Sequence, residues 1–591
     1  MAKEKLNLER RREIVERVVD DYNASLEFQR PIFQNFVEYY QLYRSVIDEQ
    51  KQNYKGRANL FVPYVYSTVE TIVPRMVGSK PKIESAPREP MDIRYAELNT
   101  QLTNYQWDMI EMKRKVKSWV RNGLIYGVGT LKLTWEFKTE LENTVKDTPK
   151  CEVIDPFDYF KDPEATVDYP GRYDIHKTYR SINELRHNPN YDIPKELEAE
   201  VDQDEYQVQR EAILGLSKPT NRDVKKCEIL EYWGLYDIDD DGVEKECLLV
   251  VANRNHLIRA EKNPYKHGQR PFINFHDTDV PSEFWSIGEV EPIMSLQYEL
   301  NDIRNQRMDN VTLILNRMWL VNKGADVDEE ELISQAGGVI HAGDINGIKD
   351  LSTPDVTGSS YNEETLVKAD IQQASGVTDF TKGMGNQGGA LANETATGIM
   401  ILTEQGNARF RYKLDNLEDA LEKFGKQLNG LNEQFITTDT MIRIVGPKGR
   451  EWTKIPSKAI KADYDINVEA GSTQPMNKSV RKAEARELLA TVAPFAQIAG
   501  INLTYFIKYL LQQYDLADIN EAFGSIMDPA QLTPEGEQRN PMERLQELQG
   551  GQSGAVLGGD VGAQRSVPFQ KLAESGESPA PQVERNQRGA Q

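Results

Sequence analysis

With 591 residues, 39% of them hydrophobic and 28% charged, the chain is too long for one core and too apolar for global disorder, so several domains or layers are expected. Its 71 Lys and Arg against 93 Asp and Glu leave a formal net charge of -22, which excludes a tight phosphate-neutralising grip on nucleic acid but not a wall past which a polyanion slides. Cys151, Cys227 and Cys247 are odd in number, widely spaced and in no CxxC arrangement, so neither a disulfide framework nor a structural zinc site is indicated.

The charged amino terminus lacks the apolar stretch of a signal peptide, and no run approaches the roughly 18 apolar residues of a membrane span. Synthesis in the cytosol and no membrane partner are therefore expected. Apolar residues at helical spacing (Ile14, Val15, Val18, Val19, Tyr22, then Phe33, Phe36, Val37, Tyr40) predict two opening helices divided by Pro31. A helix is expected around Tyr66 to Met76, then a proline-marked extended passage, then a helix from Met91 to Arg121 that ends at Gly123. Leu131, Leu133 and Trp135 alternate as in a half-buried strand, and mixed α and β structure continues to about Asn274. Two strands rich in aromatic and aliphatic residues flank the acidic turn Asp239, Asp240, Asp241, Gly242 as a hairpin.

The next helix has Pro292 in its first turn and apolar residues Ile293, Leu296, Leu300, Ile303, Val311, Ile314 and Met318, interrupted at Arg307. Between Asn301 and Asn310 only Ile303 and Met308 are apolar, so one side is expected to face solvent and the other a polar channel or neighbour. Short strands and turns follow from Trp319 to Leu351, a helix from about Asn362 to Ala374, and a glycine loop. Beyond the long helix described next come strands near Met441 to Val445 and Tyr464 to Val468, then helices from Lys478 to Leu489 and Leu503 to Tyr514. From about Pro529 to Gln591 the composition is that of a disordered tail.

The long helix has Asn393 at the N-cap and Glu394 in its first turn, where the dipole favours a carboxylate. Phe410, Leu414, Leu417, Leu421, Phe424, Leu428, Leu431 and Phe435 then alternate four and three apart, a heptad seam about 39 Å long. Arg411 with Asp415, Asp419 with Lys423 and Glu422 with Lys426 are placed to pair on its wet face. Gly398, Gly406, Gly425 and Gly430 each cost about 1 kcal/mol against alanine, so a close neighbour or tolerated flexing is expected there. By pattern alone, an ordinary bundle helix has the same seam.

Motifs for catalysis are weak. Gly383, Gly385 and Gly388 match G-x-G-x-x-G with Glu404 beyond, but the preceding segment is helix-like and Glu404 lies inside a helix, so no dinucleotide site is expected. The run from Asp237 begins like a calcium loop, yet Leu248 stands where its bidentate Glu belongs. P-loop, HExxH and G-x-S-x-G motifs are absent, and the expectation is no catalytic residue, no metal and no cofactor. Lys113, Arg114, Lys115, Lys117 and Arg121 beside Trp119 form a basic cluster that fits DNA, an acidic neighbour, or a solvated or inter-subunit face.

Taken in order, segments 36–45, 59–84, 121–137, 153–163 and 393–424 resemble the portal proteins of tailed bacteriophages. The likeness runs from about Arg30 to Phe435 and is strongest where Thr395, Ala396, Thr397 and Gly398 open the long helix. It implies an α+β subunit with wing, stem, clip and crown layers: wing 1–280, first stem helix 281–318, clip 319–360, second stem helix and tunnel loop 361–393, spine helix 394–437, wing strands 438–476, crown 477–528 and tail 529–591. Lys382, Gly383, Gly385, Asn386, Gly388 and Gly389 would form the tunnel loop. It also implies a homo-oligomeric, dodecameric ring at one capsid vertex of the virion, with terminase large subunit, major capsid and scaffolding proteins and a head-tail adaptor as partners. Double-stranded DNA would occupy the tunnel transiently. A nucleotide-dependent nucleic-acid enzyme and another virion scaffold or coat subunit are the competing expectations.

Overall fold

The computed structural model describes residues 7–46, 57–140, 144–198, 205–214, 226–378, 408–437, 440–456, 464–468 and 478–492, with short interruptions, and the single positions 460, 507 and 510. The chain divides into two units, Met1–Ile519 and Asn520–Gln591. The second unit, with the expected tail, lies outside the described residues, as does the expected helix near Leu503 to Tyr514 save two positions.

The first element is one helix, α1 (Leu8–Tyr43), with Pro31 inside it. The expected division at Pro31 is therefore corrected. A proline in a helix interior costs about 3 kcal/mol. Ile14, Val18 and Tyr22 before it and Phe33, Phe36, Tyr39 and Leu42 after it are all buried in one cluster, and that shared burial outweighs the lost hydrogen bond. Helix α2 (Tyr64–Met76) follows an extended stretch.

The single helix expected from Met91 is two, α3 (Ile93–Met109) and α4 (Met112–Tyr126). They break at Glu111, which takes the left-handed conformation with φ 53°. The turn lets Ile110 and Met112, on its two sides, both enter the core. Nor does α4 end at Gly123: it closes at Gly127, whose φ of 85° suits glycine.

Two antiparallel sheets carry the middle of the chain. In the first, β2 (Val128–Glu140) lies between β3 (Thr144–Ile154) and β9 (Phe272–His276). The second is a meander of β4 (Tyr159–Lys161), β5 (Tyr173–Ser181), β6 (Lys226–Tyr236), β7 (Lys245–Ala252) and β8 (His256–Lys262). The expected hairpin is β6 and β7, in register with Tyr232 opposite Leu249. Between these strands lie two short helices, α5 (Ile182–His187) and α6 (Glu205–Ile213). Helix α1 packs on the meander, with Tyr173 and Tyr232 stacked beneath it and the Tyr232 hydroxyl donating to Asp21 at 3.1 Å.

Three small ribbons complete the sheet structure among the described residues. β1 (Ile83–Pro87) pairs with β14 (Tyr464–Val468), β10 (Met318–Val321) with β11 (Ile348–Leu351), and β12 (Thr440–Gly446) with β13 (Gly449–Ile455), all antiparallel. Mixed helix and antiparallel sheet make the fold class α+β.

Candidate functional site

Two helical assemblies stand out. The first is an arm: helix α7 (Met294–Leu315), the β10–β11 ribbon, and helix α8 (Thr357–Ser375), which packs back against α7. The polar face of α7, expected to meet solvent and a channel or neighbour, is engaged within the chain itself. Gln297, Asn301, Asn305 and Asp309, four residues apart, reach across to the extended segment that precedes α2 and to the first turn of α2. Asp309 accepts from the Ala58 amide at 2.5 Å, Asn305 from Leu60 at 2.6 Å, Asn301 from Val62 at 3.0 Å and Gln297 from Val65 at 3.2 Å. Asn305 and Gln297 also donate to the carbonyls of Leu60 and Val62, at 3.1 and 2.7 Å.

The match is geometric. Four helical residues rise about 6.0 Å and two extended residues about 6.6 Å, so side chains on one helical row meet alternate backbone units over a few steps. A row of three amide side chains and the Asp309 carboxylate thus takes the place of a neighbouring strand.

Arg307, the interruption in the apolar series, is buried between the arm's helices. Its guanidinium pairs with Glu364 and lies 4.2 Å from the Tyr361 ring centre. Burial opposes charge on Glu364, but hydrogen bonds from Lys368, at 2.6 Å, and Arg307 outweigh it and hold the carboxyl below its ordinary range. Beside this buried ion pair, the arm exposes several large apolar side chains: Leu315, Met318, Leu320, Leu351, Tyr361 and Leu366, with Leu315 exposed to 68%. These six side chains are left uncovered in the single chain.

The second assembly is α9 (Ala408–Phe435), a strut packed against β2, β9, β1, β14, α2 and α3. Phe410, Leu414, Leu417, Leu421, Phe424, Leu428 and Leu431 are buried, and Phe435 is half-buried with its ring stacked on Trp135. Trp107 meets Phe424 edge-on at 5.9 Å, and the Arg75 guanidinium lies 5.2 Å from the Phe410 ring centre. A side chain at Gly425 would collide with Ile466, and one at Gly430 would crowd His267, so both glycines admit close neighbours. Of the three expected ion pairs, Glu422 with Lys426 forms at 2.7 Å; among the described residues the other two do not close.

Sequence reasoning missed the polar stitching of this strut. Lys413 reaches Asp277 at 2.6 Å and Glu289 at 2.7 Å, all three buried. Burial, with Glu289 adding repulsion, pushes the Asp277 carboxyl up although Lys413 draws it down. Asn416 donates to the carbonyls of His276 and Asp277, Gln427 to that of Arg270 at 2.9 Å, and Gln434 to that of Pro264 at 2.7 Å. Asn432 and Gln106 exchange hydrogen bonds at 2.6 and 2.8 Å, and Asn99 donates to Asn429 at 2.9 Å. These polar residues flank the seam and tie the helix to loops, sheet and α3, and their backbone partners carry no sequence signal.

Lys382, Gly383, Gly385, Asn386, Gly388 and Gly389 lie outside the described residues, as do Asn393, Glu394, Gly398 and Gly406. In the acidic turn, Asp237 accepts from the amides of Asp241 and Gly242, and Lys245 bonds both Asp239 and Asp241 at 2.6 Å. Its carboxylates are thus committed to the turn. The basic cluster divides: Trp119 is buried and donates to the Gly129 carbonyl, Arg121 pairs with Glu70 at 2.7 Å, and Lys113, Arg114 and Lys117 are exposed. All three cysteines are free and buried, with burial pushing the Cys151 thiol up to about 12 and that of Cys247 up to about 11. No helix among the described residues is long and apolar enough to cross a membrane.

Residues 141–553 match the phage SU10 portal protein family, a span that takes in the meander, the whole arm and the strut. That family is structural rather than catalytic. A match over so much more than half of the sequence, falling on the two helical assemblies described above, settles what the chain is part of: it belongs to the portal protein family of tailed bacteriophages and is a structural protein of the phage head.

Proposed function

We propose that copies of this chain close into a ring, dodecameric as the resemblance implies, at one vertex of the capsid. DNA then enters through the ring during packaging and leaves through it at ejection. In this reading, residues 281–318 and 361–393 are the stem helices and tunnel loop, 319–360 the clip, 394–437 the spine, and 1–280 with 438–476 the wing; 477–528 form the crown and 529–591 the tail. Terminase docks during filling and a head-tail adaptor afterwards, with major capsid and scaffolding proteins around the rim. The virion is the place of action.

The observation that carries the reading is the exposure of large apolar side chains on the arm, with Met318 and Leu320 on β10 and Leu351 on β11 uncovered in the single chain. A two-stranded ribbon is marginal alone and gains stability from a neighbour. The net charge of -22 supports a conduit along which a polyanion moves without sticking. Leu320→Glu with Leu351→Glu tests the arm directly. Sedimentation velocity is expected to show monomers with unchanged circular dichroism. Rings of wild-type size in that variant would remove the arm from the interface.

A further inference from the structure

Away from the arm and the strut, a cavity of about 680 Å³ opens between α4, β3 and β5. Arg114, Lys115 and Arg180 line it, together with Glu152, Asp155 and Asp158. The carboxylates already have cations of their own: Glu152 pairs with Lys150, Asp155 with Arg210 at 2.7 Å, and Asp158 with Lys177 at 3.9 Å. The cations of the wall are less committed. Arg114 stands 3.6 Å from Glu111 across two exposed side chains, and Lys115 and Arg180 make no ion pair among the described residues. The lining thus holds three cations, Arg114, Lys115 and Arg180, and three carboxylates, and each of those carboxylates has a cation from outside the lining. With the wall's carboxylates paired from outside, Lys115 and Arg180 are the charges the pit leaves for a ligand, in a chain of net charge -22.

We infer that this pit binds an acidic segment of a partner protein, whose carboxylates insert between Lys115 and Arg180. The chemistry favours a peptide over duplex DNA. DNA presents one charge per roughly 1.7 Å along a stiff rod and needs a continuous basic track. Here carboxylates alternate with the cations, and the nearby Trp119 is fully buried and offers no stacking surface. A single inserted Asp or Glu instead meets a guanidinium fork and an ammonium while avoiding the wall's own carboxylates. The inference goes beyond the ring and does not depend on it.

The test uses the full chain and a fluorescein-labelled hexaglutamate peptide, followed by anisotropy at low salt. Lys115→Ala with Arg180→Ala is expected to weaken binding roughly tenfold or more, the effect of losing charge-assisted contacts. Lys113→Ala with Lys117→Ala removes two charges from the same helix outside the pit and is expected to leave binding nearly unchanged. Equal losses in both variants, or no binding by the wild-type chain, would overturn the proposal. So would a duplex oligonucleotide of equal charge that displaces the peptide and itself depends on Lys115 and Arg180. Arg180→Gln, an exposed single change, carries the test if the double variant melts early.

Discussion

Leu421 and Leu428 are fully buried between α9 and the elements packed on it, where a carboxylate would be cut off from water. Leu421→Asp or Leu428→Asp is expected to cost several kcal/mol and to abolish folding or assembly, seen as loss of soluble protein and of a cooperative melt. Arg307 and Glu364 pose a different problem, since removing one partner strands the other. Glu364→Leu is expected to lower stability by about 3 kcal/mol, and the double change Arg307→Met with Glu364→Leu by less, as urea melts of the two would show. Acid sensitivity belongs to single residues as well. Burial, reinforced by Lys132, lowers His176 to about 3, and burial, reinforced by Lys423 and Lys161, lowers His276 to about 4. Both rings are neutral in the folded chain, so their contribution is complete above the unfolded value of 6.5 and is lost as pH falls toward 4. Asp277, whose carboxyl is raised by burial, has the opposite sign: its contribution is present at low pH and lost as pH rises. The melting temperature is expected to fall between pH 7 and pH 4.5, less steeply in His176→Asn and more steeply in Asp277→Asn.

The ladder from α7 to the extended segment before α2 makes a prediction about an element. Replacing Asn301, Asn305 and Asp309 together with Ala removes the acceptors of Val62, Leu60 and Ala58. Residues 57–62 should then exchange amide hydrogen faster and be cut earlier by protease, while the sheets keep their protection. The same ladder shows where sequence reading reaches its limit. A helical row that serves a distant backbone has the composition of a solvated row, and its partner lies more than two hundred residues away. The strut seam and the β6–β7 hairpin were legible because their periodicity reports one packed face and one turn. Pro31 and Glu111 misled in opposite directions: a shared core carried α1 through its proline, and tertiary packing broke the next helix where neither glycine nor proline stands. Of the site residues named from sequence, the seam can be placed, whereas the glycine loop lies outside the described residues.

At the scale of the whole molecule, the arm buries an Arg307–Glu364 ion pair and exposes Leu315, Met318, Leu320, Leu351, Tyr361 and Leu366, an arrangement suited to a part whose exterior is finished by neighbouring copies. Removing Gly383 to Gly389 is expected to leave assembly intact and to impair DNA retention or packaging, and loss of assembly would make that loop structural instead. The acidic balance of -22 fits a passage rather than a clamp. The most direct measurement is an electron micrograph of the purified full-length chain. The account predicts rings with a central hole; closed shells, filaments or persistent monomers would contradict it.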